Sequence, residues 1–224
     1  MSDSLESTRS SPVSLVRFMN RWLLPLLPLI PVPHRFIHGL LLQDNQHENE
    51  ADGWARLRRP AELGRYGVIH GFVQHFAPNG SILDVGCADG ILQERISYGR
   101  YTGIDFYEAS IARASAKADE RTRFVHADAA SYVPDEAFDA IVWNECLYYL
   151  ERPIDVITRY RQYLRRGGVM IVSMFYQTYA TRRLFRQLNV LGPVLADVRL
   201  SAPDGSSWVL RAYDASLESA QRGA

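Results

Sequence analysis

Ser81-Ile82-Leu83-Asp84-Val85-Gly86-Cys87-Ala88-Asp89-Gly90 is the stretch whose reading decides the fold. A short, largely apolar run without polar alternation reads as a strand buried on both faces, the kind found in a parallel sheet covered by helices. Gly86 and Gly90 let the backbone turn tightly and come close to a ligand, while a helix amino terminus would present free N–H groups to it. Working outward, residues 101–105, 123–127, 138–143 and 169–174 read as further short buried strands. Helical periodicity fills the gaps at residues 91–96, 108–117 and 154–164, the last with Pro153 at its start and Gly167-Gly168 just beyond its end. Strand, helix and strand joined by short links imply right-handed crossovers and a ligand crevice at the carboxyl ends of the strands. Residues 195–200 and 207–213 flank Ala202-Pro203-Asp204-Gly205 and predict an antiparallel hairpin at the sheet edge. The expected fold is α/β, a doubly wound, Rossmann-like, mostly parallel seven-stranded sheet with that carboxyl-terminal hairpin. Residues 55–76 read as helical, with Pro60 as the helix start.

The chain has 224 residues, 25 basic and 25 acidic, so its formal net charge is zero. The basic residues are spread along it, which removes the electrostatic reason to expect a nucleic-acid partner. Cys87 and Cys146 follow two predicted strands and read as free thiols of a reducing compartment, so a cytoplasmic protein is expected.

The predicted division is an extension at residues 1–50, a ligand-binding domain at 51–216 and a tail at 217–224. The extension starts polar, and its apolar residues 13–42 are interrupted by charge and by Pro25, Pro28, Pro31 and Pro33, too broken for a spanning helix. Two readings of that segment stay open: a cover packed over the domain, or a peripheral contact with a membrane surface.

The segment from Asp84 to Gly90 resembles the first motif of class I S-adenosylmethionine (SAM) dependent methyltransferases, with Ala88 in place of the usual middle glycine. The resemblance implies SAM as cofactor and a set of contacts to it. Asp84, Gly86, Cys87, Ala88, Asp89 and Gly90 form the glycine loop. Asp105, ending the second strand, stands where a carboxylate accepts both ribose hydroxyl protons, with helix capping as its alternative. Phe106 would lie against adenine, Asp128 would meet its amino group and the Ala129 N–H its ring. Arg65 fits an arginine that binds the methionine carboxylate, or else forms a surface salt bridge. Asn144 opens the substrate-facing segment Asn144-Glu145-Cys146-Leu147-Tyr148-Tyr149. Within it Glu145 is the candidate general base or the partner of a substrate ammonium, and Tyr148 and Tyr149 either line the acceptor pocket or pack beneath a lid. His126 reads as a satisfied structural histidine in preference to a base.

Ile91-Leu92-Gln93-Glu94-Arg95 and residues 144–149 look, more narrowly, like bacterial methyltransferases related to the rhizobial nodulation N-methyltransferase, which acts on a chitooligosaccharide amine. This implies transfer to N or O of a small molecule, with a sugar or lipid-linked acceptor in view. No Asp- or Asn-Pro-Pro aromatic box follows the fourth strand, so methylation of bases in DNA is not expected, and neither is a metal. Two rivals remain: a non-catalytic partner subunit of the same fold, and a nucleotide-binding oxidoreductase, against which the Gly86-x-x-x-Gly90 spacing argues.

Overall fold

Strand β1, Ser81–Val85, is buried at every position, as its unbroken apolar character requires. It pairs in parallel with β2, Arg100–Asp105, on one side and β4, Phe138–Asn144, on the other. These pairings come from a computed structural model that describes residues 54–176, 179–203 and 205–216. Strands β3 (Thr122–His126) and β5 (Leu164–Phe175) extend the parallel sheet outward. Strand β7, Ser207–Asp214, then runs antiparallel between β5 and the edge strand β6, Val194–Ser201. The seven strands lie in the order β3-β2-β1-β4-β5-β7-β6. The reversal of winding between β1 and β4 sets the crevice at their carboxyl ends.

Helix α1, Pro60–Phe76, opens with proline at its first turn, where no N–H bond is lost. It covers one face of the sheet through Tyr66, Ile69 and Val73, packed against Ile82, Val142, Ile171 and Leu210. Helix α2, Glu108–Ser115, follows β2. The opposite face takes α3, Pro153–Tyr160, and α4, Tyr179–Gln187. There Ile157, Tyr160, Leu184 and Phe185 pack on Leu83, Trp143, Met170 and Val172. Helices on both faces and the antiparallel hairpin at the edge agree with the sequence reading.

The structure also differs from that reading: α3 stops at Tyr160, with Arg161–Tyr163 in a 3-10 turn, and α4 was not foreseen. Residues 91–96 form turns and a short 3-10 piece, Gln93–Arg95, in place of a helix. The segment is pinned by Gly90 N–H to Cys87 carbonyl at 3.0 Å and by Gly99 N–H to Gly80 carbonyl at 2.9 Å, and it buries Ile91, Leu92, Ile96 and Tyr98 in a tight wrap. In addition, β5 begins at Leu164 and takes Gly167 and Gly168 into the strand, where the positive φ of Gly167 (73°) accompanies a register shift against β4. Residues 1–50 and 217–224, assigned above to an extension and a tail, lie outside the described residues. Among the described residues no helix is long and apolar enough to cross a membrane.

Candidate active site

Three residues of the glycine loop occupy the left-handed region: Gly86 (φ 74°), Ala88 (φ 49°) and Gly90 (φ 73°). A side chain at Gly86 would place its Cβ 2.6 Å from Cβ of Cys146, so only glycine fits there without displacing the segment after β4. Ala88 takes a conformation that glycine adopts freely and alanine reaches at about 1–2 kcal/mol. Its N–H donates to Oδ2 of Asp105 at 2.8 Å, which holds the loop in that shape.

Asp105, at the end of β2, accepts from Ala88 N–H on one oxygen and from Tyr107 N–H, at 2.9 Å, on the other. Each oxygen keeps a second lone pair. Asp105 thereby ties the turn before α2, where Tyr107 is the N-cap residue, to the glycine loop.

The loop floors a small pocket lined by Leu57, Arg65, Tyr66, Asp84, Ala88, Asn144 and Glu145, among others. Asp84 reaches it from β1. One of its oxygens accepts the Tyr101 hydroxyl at 2.5 Å, and the other is buried with no hydrogen-bond partner among the described residues. An orphaned carboxylate oxygen in a cavity wall calls for a polar or cationic group. Burial pushes the Asp84 carboxyl up to about 7, with Tyr101 opposing. In the folded protein Asp84 therefore keeps its proton where the unfolded chain, near ~3.9, has lost it. That contribution to stability is present below the unfolded pKa and is lost as pH rises through about 7. Melting temperature is expected to fall between pH 4 and 7 by a component that Asp84→Asn removes; equal profiles for the two proteins would refute this ionisation.

Arg65, on α1, is 1% exposed. Its guanidinium donates to Glu62 Oε2 at 2.7 Å and, through another nitrogen, to Asn144 Oδ1. Burial works against its charge, but Glu145, Tyr66 and Glu62 outweigh that and hold it charged. The sequence alternative of a surface salt bridge is thus corrected in one respect, because the pair with Glu62 is buried on the arginine side. Arg65→Ala is expected to cost about 3–5 kcal/mol in urea unfolding, since it strips Glu62 and Glu145 of their compensating charge. Arg65→Lys should lose less, keeping the charge without the planar fork.

Glu145 sits at φ 61°, a strained value for a residue with a side chain and a mark of functional sites. Its Oε2 accepts from the Tyr148 hydroxyl and from Phe175 N–H, both at 3.0 Å, and Oε1 accepts from Ser173 at 3.2 Å. Burial raises its carboxyl above the ordinary value, opposed by Arg65, Tyr148 and the Phe175 N–H. Tyr148 and Tyr149 stack edge to face at 4.5 Å beside it.

Other expected site residues stand apart from the cavity. Asp89 is tied to Trp54 N–H (3.2 Å) and Arg113 (3.1 Å), and Gly90 lies against Phe124. Phe106 is 63% exposed, beyond Asp105. Asp128 and Ala129 follow β3 at its carboxyl end, where Asp128 caps a turn through Ala130 N–H at 2.8 Å. The Ala129 carbonyl accepts from Tyr160 and Arg159. A ring nitrogen of His126 meets the Phe106 carbonyl at 2.9 Å, the arrangement of a structural histidine.

Sequence reasoning missed Tyr101, Glu62, Leu57 and Trp54. Tyr101 carried a signal, because a tyrosine in a buried strand needs a partner for its hydroxyl. Trp54 and Leu57 carried none: Trp54 closes over the loop by donating its ring N–H to Ser110 at 3.0 Å, a contact spanning 56 residues.

Residues 83–172 match a family model described as a methyltransferase domain. An uncharacterized methyltransferase of Mycobacterium bovis is 32% identical over 98 residues, which cover 42% of this chain and 50% of that protein. A trans-aconitate 2-methyltransferase of Acidovorax sp. is 34% identical over 106 residues, 46% of this chain and 40% of that protein. The chain thus spans about half or less of the curated relatives it matches. Among solved structures, the N-methyltransferase NodS of Bradyrhizobium japonicum bound to S-adenosyl-L-homocysteine (SAH) shares the fold, with TM-score 0.68 and 23% identity over 76% of this chain and 96% of that one. The glycine loop and the central parallel strands lie in or at the edge of residues 83–172, the segment that matches the methyltransferase domain.

Proposed function

We propose that the protein transfers a methyl group from SAM to a nitrogen or oxygen of a small molecule. The observation that carries this reading is the convergence of Arg65, Asp84, Asn144 and Glu145 over the glycine loop, with one Asp84 oxygen still lacking a partner. SAM would supply an electrophilic methyl on its sulfonium. The chain's own residues fit it by chemistry: Asp84 suits an ammonium, Arg65 a carboxylate and Asp105 ribose hydroxyls, while Phe106, Asp128 and Ala129, after the carboxyl ends of β2 and β3, would meet its base.

Transfer needs the acceptor atom held in line with the reacting bond, and such positioning is worth ~7–11 kcal/mol in well-oriented systems. Glu145 is proposed as the proton acceptor for an amine or hydroxyl substrate. Its Oε1 takes only the Ser173 hydroxyl and has room for a substrate proton, and its raised pKa moves it toward the working range of a base. Tyr148 and Tyr149 would wall the acceptor pocket.

The relatives support a small-molecule acceptor, since one is a trans-aconitate 2-methyltransferase and the structural neighbour an N-methyltransferase. A sugar or lipid-linked acceptor belongs to this proposal, as does peripheral membrane contact by residues 13–42. Glu145→Gln is expected to lower turnover by roughly 10²- to 10⁴-fold with SAM affinity within a factor of about two. Loss of SAM binding in that variant would remove the base role and make Glu145 a cofactor ligand.

A further inference from the structure

Several arginines among the described residues pair with carboxylates. Arg58 pairs with Glu94, Arg113 with Asp89, Arg123 with Asp135, Arg165 with Asp139 and Arg211 with Asp197. Arg182 on α4 and Arg199 on β6 instead share an aromatic ring. Both guanidiniums lie on the ring of Tyr176, at 5.5 and 4.6 Å from its centroid, and among the described residues neither meets a carboxylate. The other ring that holds two guanidiniums is Tyr66, and there Glu62 and Glu145 stand against Arg65. Two like charges gathered on one aromatic ring repel unless an anion joins them. Helix α4 adds Arg183 and Arg186 and carries no acidic residue, so the local field is positive.

The position of this cluster gives it a use. Tyr176 directly follows Phe175, whose N–H donates to Glu145, and its own N–H donates to the Ser207 carbonyl of β7 at 2.9 Å. The cluster therefore stands at the carboxyl end of β5, one residue beyond the backbone that holds the candidate base, on the rim away from the glycine loop. Arg182 and Arg199 are exposed, so a ligand can reach them.

We propose that Arg182 and Arg199, braced on Tyr176, bind an oxyanion carried by the methyl acceptor, so that the substrate is an acidic small molecule bearing a carboxylate or a phosphate. This rests on the methyltransferase reading, and it names the substrate class for the same cleft. Guanidinium forks match both groups in geometry, and the flat tyrosine ring orients them at little entropic cost.

The test is calorimetric titration of the full chain with citrate and with inorganic phosphate at constant ionic strength, with SAH titrated in parallel. Millimolar or tighter binding of at least one anion is expected, weakened about tenfold or more by the double change Arg182→Gln and Arg199→Gln, with SAH affinity unchanged. Citrate binding alone indicates a carboxylate, and phosphate binding alone a phosphate ester. Arg199→Gln by itself, on an exposed edge strand, gives the same answer if the double variant does not fold. Failure of both anions to bind the parent protein, or unaltered anion affinity in the variants, overturns the proposal. Loss of SAH binding in the parent with anion binding intact would refute the methyltransferase reading and leave the anion site standing.

Discussion

Asp105→Ala is expected to weaken SAH binding by about 100-fold or more, the largest loss from any single side chain in the cleft. Two contributions combine. A carboxylate paired to ribose hydroxyls makes charge-assisted hydrogen bonds, each worth about 1.5–3 kcal/mol, and tenfold in affinity corresponds to ~1.4 kcal/mol. The same carboxylate holds Ala88 N–H and Tyr107 N–H. Its removal therefore frees a loop whose middle residue sits in a left-handed conformation only because it is tied down. Asp105→Asn separates the two effects, because the amide oxygen can still accept one of the backbone bonds. Calorimetry on both variants, with circular dichroism as the check on folding, reads the result. An alanine variant that binds SAH within threefold of the parent would leave Asp105 a backbone tie and nothing more.

Gly86→Ala is expected to lower the melting temperature by on the order of 10 °C and to abolish measurable SAH binding. At φ 74° an alanine bears the left-handed penalty of about 1–2 kcal/mol. Its Cβ would also stand 2.6 Å from the Cys146 Cβ, an atom fixed to backbone that no rotamer change can move. Overpacking of this kind costs about 1–3 kcal/mol more. For a chain of this size each kcal/mol moves the midpoint by ~2–4 °C. The second change Cys146→Gly removes the opposing atom and should restore part of the stability, while the backbone penalty persists. A Gly86→Ala protein melting within 2 °C of the parent would show that the approach of β1 to the segment after β4 is looser than described.

Strands were the legible part of this fold. Buried parallel strands such as Ser81–Val85 and Phe138–Asn144 need apolar side chains on both faces, and that requirement is written in consecutive residues. The hairpin was legible for a similar reason, since a turn-forming tetrapeptide between two β-rich runs is local information. Residues 91–96 were misread because Ile91, Leu92 and Ile96 satisfy a helical face over so short a window equally well as they fill a tight wrap. What decides between them is the Gly99 bond to Gly80, which lies outside the window.

The site divides the same way. Gly86, Ala88 and Asp105 announce themselves by spacing after strands, whereas Arg65 finds its partners Asn144 and Glu145 some 80 positions downstream, and no local pattern encodes such a meeting. The pairing of Tyr101 with Asp84 follows from neighbouring parallel strands in a register known only from the folded sheet. Arg182 and Arg199 meet on Tyr176 because α4 and the β6–β7 hairpin both fold back to the end of β5.

The central claim is that this cleft binds the methyl donor, and direct titration tests it most simply. Purified protein is titrated with SAM and SAH by calorimetry, and in parallel with NADH. The account predicts micromolar dissociation constants for SAM and SAH, no heat from NADH, and the loss of SAM and SAH binding in Asp105→Ala. Binding of NADH in place of SAM would make the protein a nucleotide-dependent oxidoreductase, and binding of none of the three would leave a methyltransferase fold serving as a non-catalytic partner.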